Sequence, residues 1–167
     1  MFLNKELILD IYGLGIIMYS DFATTHIIEG EDYFSKNYQT PQQVVNHIIQ
    51  GSIVGFCTSS SGRYILKFRS GYPLESDLNS AEFKLRLGID IRDGRMCIRD
   101  LYDLMSWTQS CPSNQYIELE NGYYYITLYG DIPSSGVLGD EQIIYVYLQK
   151  LNSMPILKYD GIPMFSE

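Results

Sequence analysis

Three cysteines (Cys57, Cys97 and Cys111) and two histidines (His26 and His47) are the residues of this 167-residue chain best suited to nucleophilic or metal chemistry. Their spacing favours neither. The cysteines stand 40 and 14 positions apart, no Cys-x-x-Cys occurs, and neither histidine lies at a metal-ligand spacing from a thiol. A Ser–His or Cys–His nucleophile needs its base alongside and an acid to orient that base. His47 precedes the apolar pair Ile48-Ile49 in a helical stretch, a surface or half-buried position, and His26 reads as part of a polar strand edge. Gly13-Leu14-Gly15 lacks the third glycine of a dinucleotide fingerprint, and Ser59-Ser60-Ser61-Gly62-Arg63 lacks the spacing of a phosphate loop. They read as a bulge and a turn. The carboxylate pairs Glu118/Glu120 and Asp140/Glu141 flank turns, where solvated acids are common, and Asp90, Asp93, Asp131 and Asp140 belong to no calcium-loop pattern. The expectation is a protein that is not an enzyme and uses no cofactor or metal.

The elements that position these residues are mostly strands. Leu7 to Ser20 reads as a long strand broken at Gly13-Leu14-Gly15. Thr40-Pro41-Gln42-Gln43 opens a helix: Thr40 can cap it, Pro41 suits its first position, and Gln43 completes a capping box. Val44, Val45, Ile48 and Ile49 form its apolar stripe, and Gly51 ends it. Beyond Gly51 the period becomes two. Ser52–Thr58 and Arg63–Ser70 read as strands joined at Ser59–Gly62, with Tyr64, Leu66 and Phe68 inward and Arg63, Lys67 and Arg69 outward. Glu82–Asp90 repeats the pattern, with Phe83, Leu85, Leu87 and Ile89 inward and Glu82, Lys84 and Arg86 outward.

Asp93-Gly94 and Asn121-Gly122 are strong hairpin turns by type. They predict one hairpin between Ile89–Ile91 and Met96–Ile98, and another between Tyr116–Leu119 and Tyr123–Tyr129. Asp100–Trp107 reads as a short helix, Gly130–Glu141 as a long loop, Gln142–Leu151 as a strong strand and Ile156–Tyr159 as a short last one. Eight or nine strands with one or two short helices predict a mainly β protein, an antiparallel β-sandwich over residues 1–167 as a single domain. A partly open barrel is the alternative.

Charge is unevenly placed along the chain. The formal charge is −8; residues 63–99 carry +3, whereas residues 100–149 carry seven acids and no lysine or arginine. Overall acidity argues against nucleic acid as a partner, since that needs a cationic footprint, although the argument weakens for residues 63–99. No run approaches the roughly 18–20 apolar residues of a membrane span. Lys5, Glu6 and Asp10 interrupt any signal-peptide core, so a cytoplasmic, reducing location is expected. The acid-rich segment is also rich in tyrosine. Tyr123, Tyr125 and Tyr129 share one strand face, opposite Tyr124, Ile126 and Leu128, and Tyr145 and Tyr147 share one in the last long strand. With the aliphatic rows inside, these tyrosines lie outside, beside Glu118, Glu120, Asp131, Asp140 and Glu141. Such a face suits docking of a basic protein, with tyrosine supplying contact area and the acids complementary potential.

The order of a leading strand, the capped helix, Gly51-Ser52-Ile53 opening a strand run, Asp93-Gly94 and Asn121-Gly122-Tyr123 resembles the layout of a competence-associated nuclease-inhibitor family. The chain is similar more broadly to small acidic immunity proteins that neutralise bacterial toxins. The resemblance spans roughly residues 40–150 and is one of pattern, so it transfers no functional residue; the tyrosine density and the stretch past Leu151 depart from it. It implies an inhibitor of a basic toxin or nuclease; the acid and tyrosine pattern, and not the resemblance, places the binding face at Glu118, Glu120, Tyr123, Tyr125, Tyr129, Asp131, Asp140 and Glu141. A carbohydrate- or small-molecule-binding sandwich and an enzyme using a cysteine with a histidine are the alternatives.

Overall fold

A computed structural model describes residues 2–165. Strand β1 (Asn4–Ile11) leads into β2 (Gly15–Tyr19), then helices α1 (Tyr33–Asn37) and α2 (Pro41–Gln50). There follow β3 (Val54–Cys57), β4 (Gly62–Ser70), helix α3 (Glu75–Ser80), β5 (Phe83–Ile91), β6 (Arg95–Asp100) and β7 (Tyr116–Glu118), with β8 (Gly122–Gly130) and β9 (Gln142–Leu151) last. The strands form two sheets, β1-β4-β9-β8-β5 and β3-β2-β6-β7. The fold is therefore the expected β-sandwich and not a barrel. Every strand pairing is antiparallel except β4 with β9, which run parallel.

The expected alternation is realised in β4, in β9 and in the first half of β8, whose residues from Ile126 to Gly130 are all buried. Tyr64, Leu66 and Phe68, with Ile126 and Leu128 and with Ile144, Val146 and Leu148, are all buried in one core with Ile16, Met18, Met96 and Ile98 of the second sheet. Each fully buried aliphatic side chain stabilises the fold by roughly 1.5–3 kcal/mol relative to exposure. The capped helix is present as read. Thr40 Oγ1 accepts from Gln43 N–H, the Gln43 side chain accepts from Thr40 N–H, and Gly51 ends the helix in the left-handed region at φ 66°.

Where the chain changes sheet, the local turn signals mislead. The break in the leading strand is a passage from one sheet to the other, held by the Asp100 carboxylate, which accepts from the N–H groups of Tyr12 and Gly13. A Cβ at Gly13 would collide with the Tyr102 ring and Asp100 Oδ1. The turns at Ser59–Gly62, Asp93-Gly94 and Asn121-Gly122 also cross between sheets: β3 does not pair with β4, β5 pairs with β8 instead of β6, and β7 pairs with β6 instead of β8. Two of these crossings are tied together, because Gly94 N–H donates to Asn121 Oδ1 and Leu119 N–H to Gly94 O. Their Asp-Gly and Asn-Gly pairs serve tight turns, as expected, but not hairpins.

Other elements differ from the reading. The segment after Asp100 is a 3-10 helix, Leu101–Met105, and His26 sits in a turn and not on a strand edge. Residues 156–159 form no strand; the tail instead bridges Met164 to Cys57 and buries Phe165 against Phe56 and Phe83. Helix α1, capped by Asp32, and helix α3 carry few buried residues and so leave weak periodic signals. No helix among the described residues is long and apolar enough to cross a membrane.

Candidate functional site

The two sheets treat their outer faces differently. The outer side of the four-stranded sheet is roofed by α1, α2, the 3-10 helix and the segment after it, with Trp107 edge-on to Tyr19 at 5.6 Å. The outer face of the five-stranded sheet is covered only in part: Met154 and Pro155 of the tail pack on Gly88 of β5, and the Tyr159 hydroxyl donates to Arg86 O. Its residues are Tyr123, Tyr125, Thr127 and Tyr129 of β8, and Ile143, Tyr145 and Tyr147 of β9. Lys84 and Arg86 of β5 and Lys67 and Arg69 of β4 flank them. The tyrosine rows lie on the side opposite the aliphatic rows, as expected, with Tyr123, Tyr125, Tyr145 and Tyr147 half-buried; Tyr129, stacked against Tyr145 and Tyr147, is buried.

At the Gly130 end of this face lies an open cleft of about 770 Å³. Its floor is Tyr129, Tyr145, Tyr147 and Ile143; its walls bring in Asp77 of α3 and Asp131, Asp140 and Glu141 of the loop after β8. Tyr129 and Tyr145 stack with centroids 5.0 Å apart and planes 13° apart, and Tyr147 stacks on Tyr129 at 5.9 Å. Burial, followed by the neighbouring Tyr147 hydroxyl and Asp77, pushes the Tyr129 hydroxyl above the usual phenol range. The ring therefore stays neutral, serving as a polar-tipped apolar floor.

The loop that carries three of these acids is fixed at both ends. At its start Glu82 N–H donates to Asp131 Oδ1, and Ile132 N–H donates back to Glu82 Oε1. At its end Gly139 O accepts from Arg63 N–H, and Leu138 O accepts from Ser60 Oγ. Gly62 and Gly139, at φ 139° and 83°, meet so closely that a Cβ on either would strike the other segment's backbone. Glu141 itself adopts φ 48°, a left-handed conformation uncommon outside glycine, so the carboxylate is held at a position that costs backbone strain. None of Asp77, Asp131, Asp140 and Glu141 belongs to an ion pair among the described residues, whereas Asp10, Asp21, Asp90, Asp103 and Glu120 each do. No group of three His, Cys, Asp or Glu side chains among the described residues is placed to hold a metal ion. The cleft is a spread acidic surface on an aromatic floor.

Of the residues singled out from sequence, the fold thus gathers Tyr129, Asp131, Asp140 and Glu141. Tyr125 and Tyr123 share the same face but lie about 13–20 Å further along β8, at 3.3 Å per residue. There Tyr125 meets Tyr72, with ring centroids 6.4 Å apart. Glu118 and Glu120 lie beyond the opposite end of β8, roughly 30 Å from Asp131 by the same spacing; Glu118 is on the other sheet, and Glu120 is taken by Lys150 at 3.1 Å. Tyr145 and Tyr147 join the site from a row that the alternation of β9 turns outward. Asp77 is the member that sequence reasoning misses, since α3 offers only acids in its first turn and one buried leucine, Leu78, as a signal.

The residues considered for nucleophilic chemistry lie elsewhere. The Tyr33 hydroxyl lies 2.7 Å from His47 Nε2 and 3.3 Å from His26 Nε2. His47 Nδ1 is 2.7 Å from Gln43 O, which can only accept, so in the neutral ring Nε2 is the acceptor for Tyr33. Cys97 points to Asp21 Oδ1 at 3.8 Å and Cys111 to Gln115 O at 3.5 Å, while burial pushes the Cys57 thiol up. No thiol hydrogen-bonds an imidazole among these contacts.

No protein-family model matches the chain, and no curated protein matches it. Two solved structures share the fold. One is the crystal structure of ComJ from Bacillus subtilis, inhibitor of the DNA-degrading activity of NucA; it is 14% identical with a TM-score of 0.56, over 90% of this chain and 99% of that one. The other is described as crocagin biosynthetic gene J, 14% identical with a TM-score of 0.53, over 88% of this chain and 97% of the other. The layout noted in the sequence therefore has a structural counterpart in ComJ, and at this identity what is shared is the architecture.

Proposed function

We propose that this protein is a binding inhibitor, acting as one domain, that neutralises a basic toxin or DNA-degrading nuclease by presenting its acidic, tyrosine-floored cleft. The observation that carries the reading is the gathering of four carboxylates without ion-pair partners over three stacked tyrosines, at the uncovered Gly130 end of the five-stranded sheet's outer face. A nuclease presents cations arranged for phosphates. Carboxylates held at fixed positions meet those cations, and Tyr145 and Tyr147 supply apolar area at small entropy cost. Anchoring of the 131–141 loop at both ends limits the ordering penalty on binding. The shared architecture with ComJ, whose partner is a nuclease, supports the same reading. The place of action is the reducing cytosol, where Cys57, Cys97 and Cys111 remain thiols.

The test is plasmid degradation by a purified DNA-degrading nuclease of the source organism, with and without an equimolar amount of this protein. Protection of the plasmid and co-elution of the two proteins are expected. Undiminished degradation across the organism's basic nucleases contradicts the proposal.

A further inference from the structure

We propose that the middle of the five-stranded sheet's outer face is a second site, which binds a short stretch of single-stranded nucleic acid. The cross-strand register places Lys67, Tyr145, Tyr129 and Lys84 side by side on β4, β9, β8 and β5, and in the next row Arg69, Tyr147, Thr127 and Arg86. With strands about 4.8 Å apart and rows about 7 Å apart, two cation columns stand about 14 Å from each other across an aromatic strip. The Lys67 ammonium lies 5.8 Å from the Tyr145 ring centre. Arg86 Nη2 donates to the hydroxyl of Tyr72, a ring 48% exposed that continues the strip towards Tyr125.

These four cations are free of the pairing that occupies most arginines of the described chain. Arg63, Arg92, Arg95, Arg99 and Lys150 each hold a carboxylate, whereas Lys67, Arg69, Lys84 and Arg86 hold none. Desolvated charge is not the explanation, because Lys84 is exposed and the other three are half-buried. Four cations without carboxylate partners beside the half-exposed rings of Tyr145 and Tyr147, with Tyr129 buried against both, are complementary to an anion that is itself both charged and planar. A single nucleic-acid strand has that character: its phosphates meet the cation columns and its bases lie against aromatic rings, without need of a sequence code. An acidic protein segment would satisfy the charges but would leave the rings unused.

The acidic cleft sets the direction of the strand. Asp77, Asp131, Asp140 and Glu141 repel phosphate at the Gly130 end, so the strand runs from the Tyr145–Tyr129 row towards Tyr125 and Tyr123, along the edge of the tail residues Met154 and Pro155 that cover Gly88. That length of β8 is about 20 Å, enough for roughly four nucleotides, the low end of the range for a sheet-based single-strand site. Its rings Tyr129, Tyr145 and Tyr147 are also the floor of the acidic cleft, whereas its cations lie outside that cleft, so changes at the cations separate this site from the inhibitor reading.

The experiment is fluorescence anisotropy of a labelled oligothymidylate of about twelve nucleotides, titrated with the intact protein at several salt concentrations. Saturable binding is expected, weakening with salt at a log–log slope of about −2 to −3 for three or four phosphate contacts. Lys84→Glu with Arg86→Glu, and separately Lys67→Glu with Lys84→Glu, should each lower affinity at least about tenfold and reduce the slope by about 0.7 for each phosphate no longer engaged. Both variants are to be checked for unchanged melting, and inhibition of a nuclease serves as an independent readout. An oligomer with abasic sites should bind more weakly. Absence of binding at low salt, or variants that bind as the parent does, would overturn the proposal. Equal binding of the abasic oligomer, or equal competition by polyglutamate, would also overturn it and reassign the strip to an acidic protein.

Discussion

The four-stranded and five-stranded sheets use the same residue types on their outer sides to opposite ends. On the covered side Arg99 is 3% exposed, lies 4.2 Å over Trp107, and donates to Asp103, to the Tyr19 hydroxyl and to both oxygens of Thr108. Tyr38, also buried, donates to Ile53 O, and every residue of β2 is buried. On the other side Arg86 reaches the hydroxyls of Tyr72 and Tyr125 and no carboxylate, and Tyr145 and Tyr147 stand half-exposed on β9. Arginine and tyrosine on the first face are committed to holding the roof. On the second they remain available to a partner.

Substitutions can break this contrast. Trp107→Ala should cost about 3–5 kcal/mol, as a buried aromatic removed from a packed site does, whereas Tyr147→Ala should cost below about 1.5 kcal/mol. Urea denaturation of the pair measures both, and equal losses would mean that the outer face of the five-stranded sheet is structural too. Next in size, Arg99→Met should destabilise by about 2–4 kcal/mol by leaving Asp103, Tyr19 and Thr108 without their donor. Arg86→Ala should stay within about 1 kcal/mol of the parent. Thr40→Ala removes the cap of α2, part of the roof, and should cost about 1 kcal/mol with no change in partner binding.

The smallest expected effect is a pH dependence confined to the roofed side. Burial, followed by the repulsion of His26, lowers the His47 pKa below its usual 6.5, while the hydrogen bond to Gln43 opposes the shift. A depressed histidine pKa contributes stability that is fully present above the unfolded value and is lost as pH falls through the folded one. Tm should therefore fall as pH drops below about 6.5. His47→Gln should flatten that part of the profile. An unchanged profile would show that the Tyr33–His47 contact carries none of it.

The legibility of the chain follows the range of the forces involved. The faces of β4, β8 and β9 and the cap of α2 are set by neighbours within a few residues, so periodicity and the Thr40–Gln43 pair disclose them. Strand pairing is decided between residues far apart: Phe83 pairs with Gly130 and Tyr64 with Gln142, and nothing in an Asp-Gly turn records whether the chain then stays in its sheet. The same holds for the cleft. Asp131, Asp140 and Glu141 lie on one loop and can be grouped from sequence, but Asp77 joins them across 54 positions through a helix with one buried side chain. Charge alone groups Glu118 and Glu120 with them, and the strand length separates them.

The central claim is that the cleft acids meet a basic partner, and one titration tests it most directly. Affinity and association rate for the inhibited nuclease are measured by surface plasmon resonance for the parent and for Asp77→Lys combined with Asp140→Lys, two exposed positions whose carboxylates make no hydrogen bond that the fold needs. The account predicts at least about a tenfold loss of affinity, most of it in the association rate and diminishing at high salt, with an unaltered melting temperature. Undiminished affinity in a folded variant would contradict it and move the interface away from the cleft.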